Sequence, residues 1–312
     1  MSDRIGRRLK LQDLHVLLTV IQAGSMGKAA QRLHTSQPAI SRSIAQLEHT
    51  FGVRLLDRGP SGVQPTKYGN ALIDGGVAMF DDLRQAVKSI EFLADPEAGE
   101  VRIGSTPFLA ASLISAVVDR LHRRHPRMAF HLVTSSAEAL RHELSERTVD
   151  LLIMRRFGPT VEEGFDFEFL FDDAFVVAAS VQSRWARRRR IELAELMNEA
   201  WVLPPPESVV SLIAREAFRA RGLEYPRATV VALTADVRMS LLATGRFVTI
   251  LPESVLRFPT KRSELKVLPI ELPTARVPNG IVTLKNRRLN PATQHFIDCT
   301  RDVAKVLLKA RR

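Results

Sequence analysis

The stretch TSQPAISRSIAQLE, residues 35–48, leaves a chain few ways to fold. Ile40, Ile44, Leu47 and Phe51 recur at i, i+4, i+7 and i+11, which lines up one apolar face of a helix. Ser36 is a good N-cap, and Pro38 then falls in the first turn, where a backbone N–H has no intrahelical partner. The proline therefore starts the helix and does not break it. Upstream, Leu14, Leu17, Leu18 and Ile21 mark a first buried face, Gly24 suits a C′ position and Ser25 can cap the next helix. That second helix is short, with Ala29, Ala30 and Leu33 inward, and HTS (34–36) forms the turn. Two short helices joined by a tight turn predict a helix-turn-helix.

The outward stripe of the third helix carries Gln37, Ser41 and Ala45, with Arg42 beside it, in place of the usual Glu and Lys. Small residues let a helix enter a major groove, where Gln pairs with adenine, Arg with guanine, and Ser with base or phosphate. The alternative is a surface helix with incidental polar residues; the missing Glu/Lys pairs and the nearby arginines weigh against it. Next, Val53 to Leu56 is β-prone, Gly59, Pro60 and Gly62 suit a turn, and Val63 to Thr66 can return. This is a small β-hairpin wing on which Arg54, Arg58 and Lys67 reach phosphates. Charge agrees: 45 Lys+Arg against 34 Asp+Glu give +11 and a pI near 10.4, which favours an anionic partner.

AAQRLHTSQPAIS, IAQLExxFGVRLLDR and QPTxxG occur together and in order, and over residues 9–70 the chain resembles the winged helix-turn-helix of LysR-type transcriptional regulators. Met26 and Lys28 depart mildly from the family pattern, and its LFxR appears as LLDR, keeping Arg58. The resemblance implies a DNA-binding domain over residues 1–67, with Ser36, Gln37, Pro38, Ser41, Arg42, Arg54, Arg58, Thr66 and Lys67 at double-stranded promoter DNA. It further implies a homodimer or homotetramer and RNA polymerase as a partner. Residues 68–94 read as one long helix in which Ile73, Phe80 and Val87 repeat every seven residues. Gly76, Leu83 and Ile90 take the other core position, with a gap at Gly76. Such a face packs either on its own domain or on a second subunit; the resemblance favours a dimerisation helix with Ile73, Phe80, Leu83, Val87 and Ile90 in the seam.

After ADPEAGE (94–100), β-rich runs alternate with helices. Strands at 101–103, 129–133 and 149–154, with helices between them, predict a largely parallel sheet. Further runs at 174–180, 200–203, 228–233 and 247–252 alternate with helices at 207–221 and 235–244, and a last helix at 291–309 carries Phe296, Ile297, Val303, Val306 and Leu307. Residues 95–312 thus read as two α/β lobes, similar to the family's effector-binding domain and to periplasmic solute-binding proteins. The fold class is α/β with an N-terminal all-α winged helix-turn-helix. Ligands of open α/β sheets bind beyond the carboxyl ends of strands. Ser105, Thr106 and Pro107 follow one strand, Thr134, Ser135 and Ser136 another, and Pro206 and Ser208 precede a helix in the other lobe. Each hydroxyl taken singly reads as an N-cap; two such loops side by side favour a small anionic effector.

Other chemistry is missing. Cys299 is the lone cysteine, the eight histidines show no ligand spacing, and RRRR (187–190) reads as a solvated charge run. Ser25-Met-Gly-Lys28 matches S-x-x-K without the partner motifs of that enzyme class. No metal, cofactor or enzymatic activity is expected. Without an apolar run of about 18 residues, no membrane is expected either, and the protein reads as cytoplasmic. The rival reading is a ligand-binding or catalytic α/β protein whose N-terminal helices serve oligomerisation only.

Overall fold

Ser25 and Ser36 act as the sequence predicts: their hydroxyls accept from the backbone N–H of Lys28 and Ala39, opening α2 (Met26–Arg32) and α3 (Gln37–Phe51). Gly24, at φ 70°, ends α1 (Leu11–Ala23), and Gly52, at φ 71°, ends α3. The computed structural model describes residues 9–59, 62–156, 163–256, 264–273 and 276–309; the side chains of Arg58, Val209 and residues 306–309 lie outside that description. Pro60 of the wing turn and the Val306 and Leu307 side chains therefore fall outside the described residues. The chain forms two units, Met1–Val87 and Lys88–Arg312.

In the first unit, Leu14, Leu17, Val20, Ala29, Ile40, Ile44 and Leu47 form the core of the three helices. Ile40, Ile44 and Leu47 are each at most 1% exposed, and burying each contributes about 1.5–3 kcal/mol. Phe51 departs from expectation: it is 38% exposed, because its turn lies at the end of α3, where Leu55 and Leu56 close the core. The wing is an antiparallel hairpin of β1 (Leu56–Gly59) and β2 (Gly62–Pro65). Its first strand begins at Leu56 and not at Val53. The backbone N–H groups of Leu55 and Leu56 are taken by the Glu48 carboxylate, at 2.8 and 3.3 Å. Helix α4 (Lys67–Ala94) then starts against the hairpin. A β-carbon on Gly69 would sit 2.1 Å from the Leu55 carbonyl oxygen, so only glycine allows this approach.

Ile73 and Phe80 of α4 are half-buried against this same core, and Phe80 meets His15 edge-on at 5.7 Å. The gap at Gly76 is filled by Leu14, whose Cδ1 lies 3.0 Å from where a β-carbon would stand. The first half of the apolar stripe thus packs on its own unit, while Leu83, Val87 and Ile90 are open, at 46, 53 and 67% exposure.

The second unit holds two five-stranded sheets. The first has strand order β4-β3-β5-β12-β6, from β3 (Ala98–Ser105), β4 (Arg127–Thr134), β5 (Leu151–Arg155), β6 (Phe165–Asp173) and β12 (Val277–Leu284). Helix α5 (107–122, π-helical over Ala110–Ile114), α6 (Ala137–Ser145) and α9 (Pro291–Lys309) accompany it. The second sheet has order β11-β7-β10-β8-β9, from β7 (Phe175–Ser180), β8 (Ala200–Leu203), β9 (Ala228–Val231), β10 (Phe247–Pro252) and β11 (Leu265–Val267), with α7 (Val209–Arg219) and α8 (Ala235–Ala243). Both sheets are mixed and not largely parallel: β12 runs antiparallel to β5 and β6, and β7 antiparallel to β10 and β11. Strands β6, β11 and β12 are absent from the sequence reading.

The chain passes between lobes twice, from β6 to β7 and from β11 to β12, and the two passages pair side by side with Val277 opposite Asp173. Asp173, buried, accepts from the Ser254 amide at 3.0 Å and the Ser254 hydroxyl at 2.5 Å. It also faces the Arg155 guanidinium at 3.4 Å, both side chains being at most 5% exposed. Asp173→Asn leaves Arg155 buried without its counter-charge; we expect a loss of about 3–5 kcal/mol in urea unfolding monitored by far-UV circular dichroism.

Candidate nucleic-acid interface and effector site

The first unit turns one polar edge outward. Gln37, Pro38, Arg42 and Ala45 of α3 are exposed, Ser36 is exposed with its hydroxyl on the Ala39 amide at 3.4 Å, and Ser41 is half-buried. The Gln37 amide oxygen lies against the first turn of α2, 3.7 Å from the β-carbon position of Gly27. Behind this face Ser43 donates to the buried Asp13 carboxylate at 2.6 Å and ties α3 to α1. That contact and the Glu48 clamp are the positioning residues that motif reading passes over. Both are polar residues on otherwise apolar faces, which is the one sequence signal for them.

On the wing, Arg54 and Lys67 are exposed, and the Lys67 ammonium lies 5.0 Å from the Tyr68 ring centre. Arg58 stands in β1 opposite Val63. Thr66 works inward: its hydroxyl donates to the Arg54 carbonyl at 2.8 Å and accepts from the Gly69 amide at 3.1 Å, capping α4. Gly62, at φ 112°, lets β2 approach the turn after α1, where the Val63 amide donates to the Gly24 carbonyl at 3.1 Å. The wing is thereby anchored at three points: Glu48, Thr66 and Gly24.

In the second unit, the residues expected at the effector separate. Ser105 is fully buried and donates to the Ile153 carbonyl at 2.7 Å, which engages its hydroxyl in the sheet. Ser136 and Ser208 cap α6 and α7, accepting from Ala139 at 3.3 Å and Ser211 at 3.2 Å. Thr134 and Pro206 are exposed, and Pro107 opens α5 half-buried. Thr106 differs from the rest: its hydroxyl is buried, has no hydrogen-bond partner and does not cap α5. Two residues on, Phe108 leaves the first lobe's core and packs with Ala178, Ala235, Leu242, Leu251 and Val255 of the second. The junction of the lobes therefore carries the Phe108 ring, two residues along the chain from one unused hydroxyl. Among the described residues no group of His, Cys, Asp and Glu could hold a metal ion, and no helix is long and apolar enough to cross a membrane.

Comparison with known proteins covers both units. The model of the bacterial regulatory helix-turn-helix protein, lysR family, matches residues 11–70, and the LysR substrate binding domain matches residues 94–305. The chain is 28% identical over 292 residues to the transcriptional dual regulator GltC of Bacillus subtilis (strain 168), covering 93% of this chain and 96% of that protein. It is 24% identical over 300 residues to the HTH-type transcriptional regulator YdcI of Escherichia coli (strain K12), covering 96% and 97%. Among solved structures, a full-length OxyR variant from Pseudomonas aeruginosa superposes with a TM-score of 0.64 at 23% identity, covering 95% of this chain and 97% of that one. Full-length CbnR in complex with its target DNA gives 0.53 at 21% identity, covering 95% and 100%.

The wing clamp is directly testable. Glu48→Ala strips the acceptor from two backbone N–H groups; we expect a stability loss of about 1–3 kcal/mol in urea unfolding, with helicity by circular dichroism otherwise kept.

Proposed function

Because the chain belongs to the lysR family of bacterial helix-turn-helix regulators, we propose a division of labour for its DNA-binding face and its effector domain. It is a sequence-specific DNA-binding transcriptional regulator with a ligand-binding domain, and not an enzyme. The observation that carries the assignment of roles is α3: an outer face of Gln37, Ser41 and Arg42 over an inner face of Ile40, Ile44 and Leu47. Arg42 and Gln37 read base edges, Ser41 reads a base or a phosphate, and Ser36 and Pro38 fix how the helix enters the groove. Arg54, Arg58 and Lys67 grip phosphates, which positions the helix without reading sequence. Thr66 serves this site indirectly, by fixing the wing to α4.

Leu83, Val87 and Ile90 form the open half of the α4 stripe and supply the contact with a second subunit. A dimer sets two recognition helices about one helical turn of DNA apart. The effector is a small anion held at the lobe junction beside Thr106. It shifts the population of subunit arrangements that differ in DNA geometry. RNA polymerase is inferred as a further partner, since control at a promoter acts through the enzyme that starts there. The cytoplasm is where such a protein meets the chromosome.

DNase footprinting on the DNA upstream of the protein's own reading frame tests this. Wild type should protect a site spanning two half-sites, and Arg42→Ala should lose about 1–3 kcal/mol and relax specificity at one base pair. A uniform loss on all sequences would place Arg42 on phosphate instead. Removing Arg54 or Lys67 should lower the salt slope of log K by about 1 each and leave sequence preference intact. Val87→Asp should shift the protein toward monomer in analytical ultracentrifugation; an unchanged oligomer would remove the α4 stripe from the interface.

A further inference from the structure

Arg238 of α8 is 2% exposed, and no carboxylate among the described residues pairs with it. One terminal nitrogen donates to the Thr249 hydroxyl at 2.7 Å and to the Ile250 carbonyl, both neutral acceptors. Its Nε–H is buried and has no hydrogen-bond partner. The guanidinium carbon lies 5.0 Å from the centre of the Phe108 ring, which comes from the other lobe. Two residues before Phe108 stands Thr106, whose hydroxyl is also buried and also unpartnered.

Burying an unpaired charge is costly and is normally relieved by a partner. Arg155, the other arginine buried near the lobe passages, has its relief in Asp173. For Arg238, burial pushes the guanidinium down to about 10, opposed by the Tyr225 phenol and by no acid. Among the described residues the cation stays unmatched, and the two unused donors, Nε–H and the Thr106 hydroxyl, come from opposite lobes. An oxyanion within reach of both would accept a bond from each and supply the missing charge, since charge-assisted bonds from a guanidinium are among the strong ones.

We propose that Arg238 is the charge-recognising residue for the effector, binding a carboxylate or other oxyanion of the ligand, with Thr106 donating from the opposite lobe. This deepens the anionic-effector reading above and rests on it. Such a ligand bridges the lobes through one group, which links its binding to how the lobes close.

Thermal unfolding of the full chain tests it in inorganic phosphate, sulfate and succinate, each against sodium chloride at equal ionic strength. At least one of these anions should raise the wild-type Tm above the chloride value. Arg238→Gln should abolish that rise. Arg238→Lys, which keeps the charge but loses the second donor, should weaken the fitted affinity by about ten- to a hundredfold. Thr106→Val leaves the Arg238 contacts with Thr249, Ile250 and Phe108 in place and should also weaken it, so the inference stays testable if Arg238→Gln does not fold. Equal anion responses in wild type, Arg238→Lys and Thr106→Val overturn the role of this pair while leaving an anionic effector standing. No response of wild type to any of the three anions overturns the anionic reading itself.

Discussion

Asp173 stands where the chain leaves one sheet and enters the other, and the arrangement of the second unit hangs on the three donors it satisfies. Two come from Ser254 of the second lobe and one from Arg155 at the end of β5 in the first. A buried ion pair adds little net stability over an apolar substitute, because desolvation offsets the attraction. What it supplies is position: an acid with three donors from two lobes has few alternative placements. Asn279, on the second passage, donates across to the Phe171 carbonyl of β6 at 3.5 Å. The lobes are joined by paired strands with polar side chains fixed between them.

The first unit solves a different problem. A helix whose outer face is Gln37, Ser41 and Arg42 has little on that face to hold it, since those residues gain little from the core. Its hold comes from behind, through the apolar row and the Ser43–Asp13 bond, and from the ends, through Ser36 and Gly52. The wing is fastened with backbone groups and the side chains of Glu48 and Thr66, which leaves Arg54 and Lys67 free of structural work. Fixed scaffolding and exposed cations occupy separate residues.

Much of this is legible in the chain because the first unit is built from short amphipathic helices with strong caps. Strands buried in the sheets, such as AWVL and FVTILP, are found at the residues their apolar runs predict. The failures have local causes. VPNGIVTL carries a Pro-Asn-Gly run that reads as a turn, yet it is a strand with an irregular register between Asn279 and Gly280. A β-carbon on Gly280 would lie 2.3 Å from the Glu168 carbonyl oxygen, so the glycine there serves close packing and not a bend. FDFEFLFDD alternates as a strand should, but its acids resemble a loop when the partner strand is unseen. Within the candidate effector site, the serines and threonines have equal standing in sequence. Only the fold separates Ser105, Ser136 and Ser208, whose hydroxyls are engaged, from Thr106, whose hydroxyl is not. Arg238 carries no sequence signal at all, because its burial is decided by residues from both lobes.

The apolar row of helix α4 changes its surroundings along the helix. Ile73 and Phe80 face the helix-turn-helix core, whereas Val87, in the same seven-residue series, faces none of it. On a straight helix a heptad series lags the true turn by about 20° per repeat. Over the two repeats from Ile73 to Val87 the stripe therefore rotates by about 40° around the axis. The phase of the sequence repeat steers a single apolar row off one surface and toward another. A one-residue insertion after Phe80 would swing the open half by about 100°, so the length of this helix is constrained as tightly as its composition.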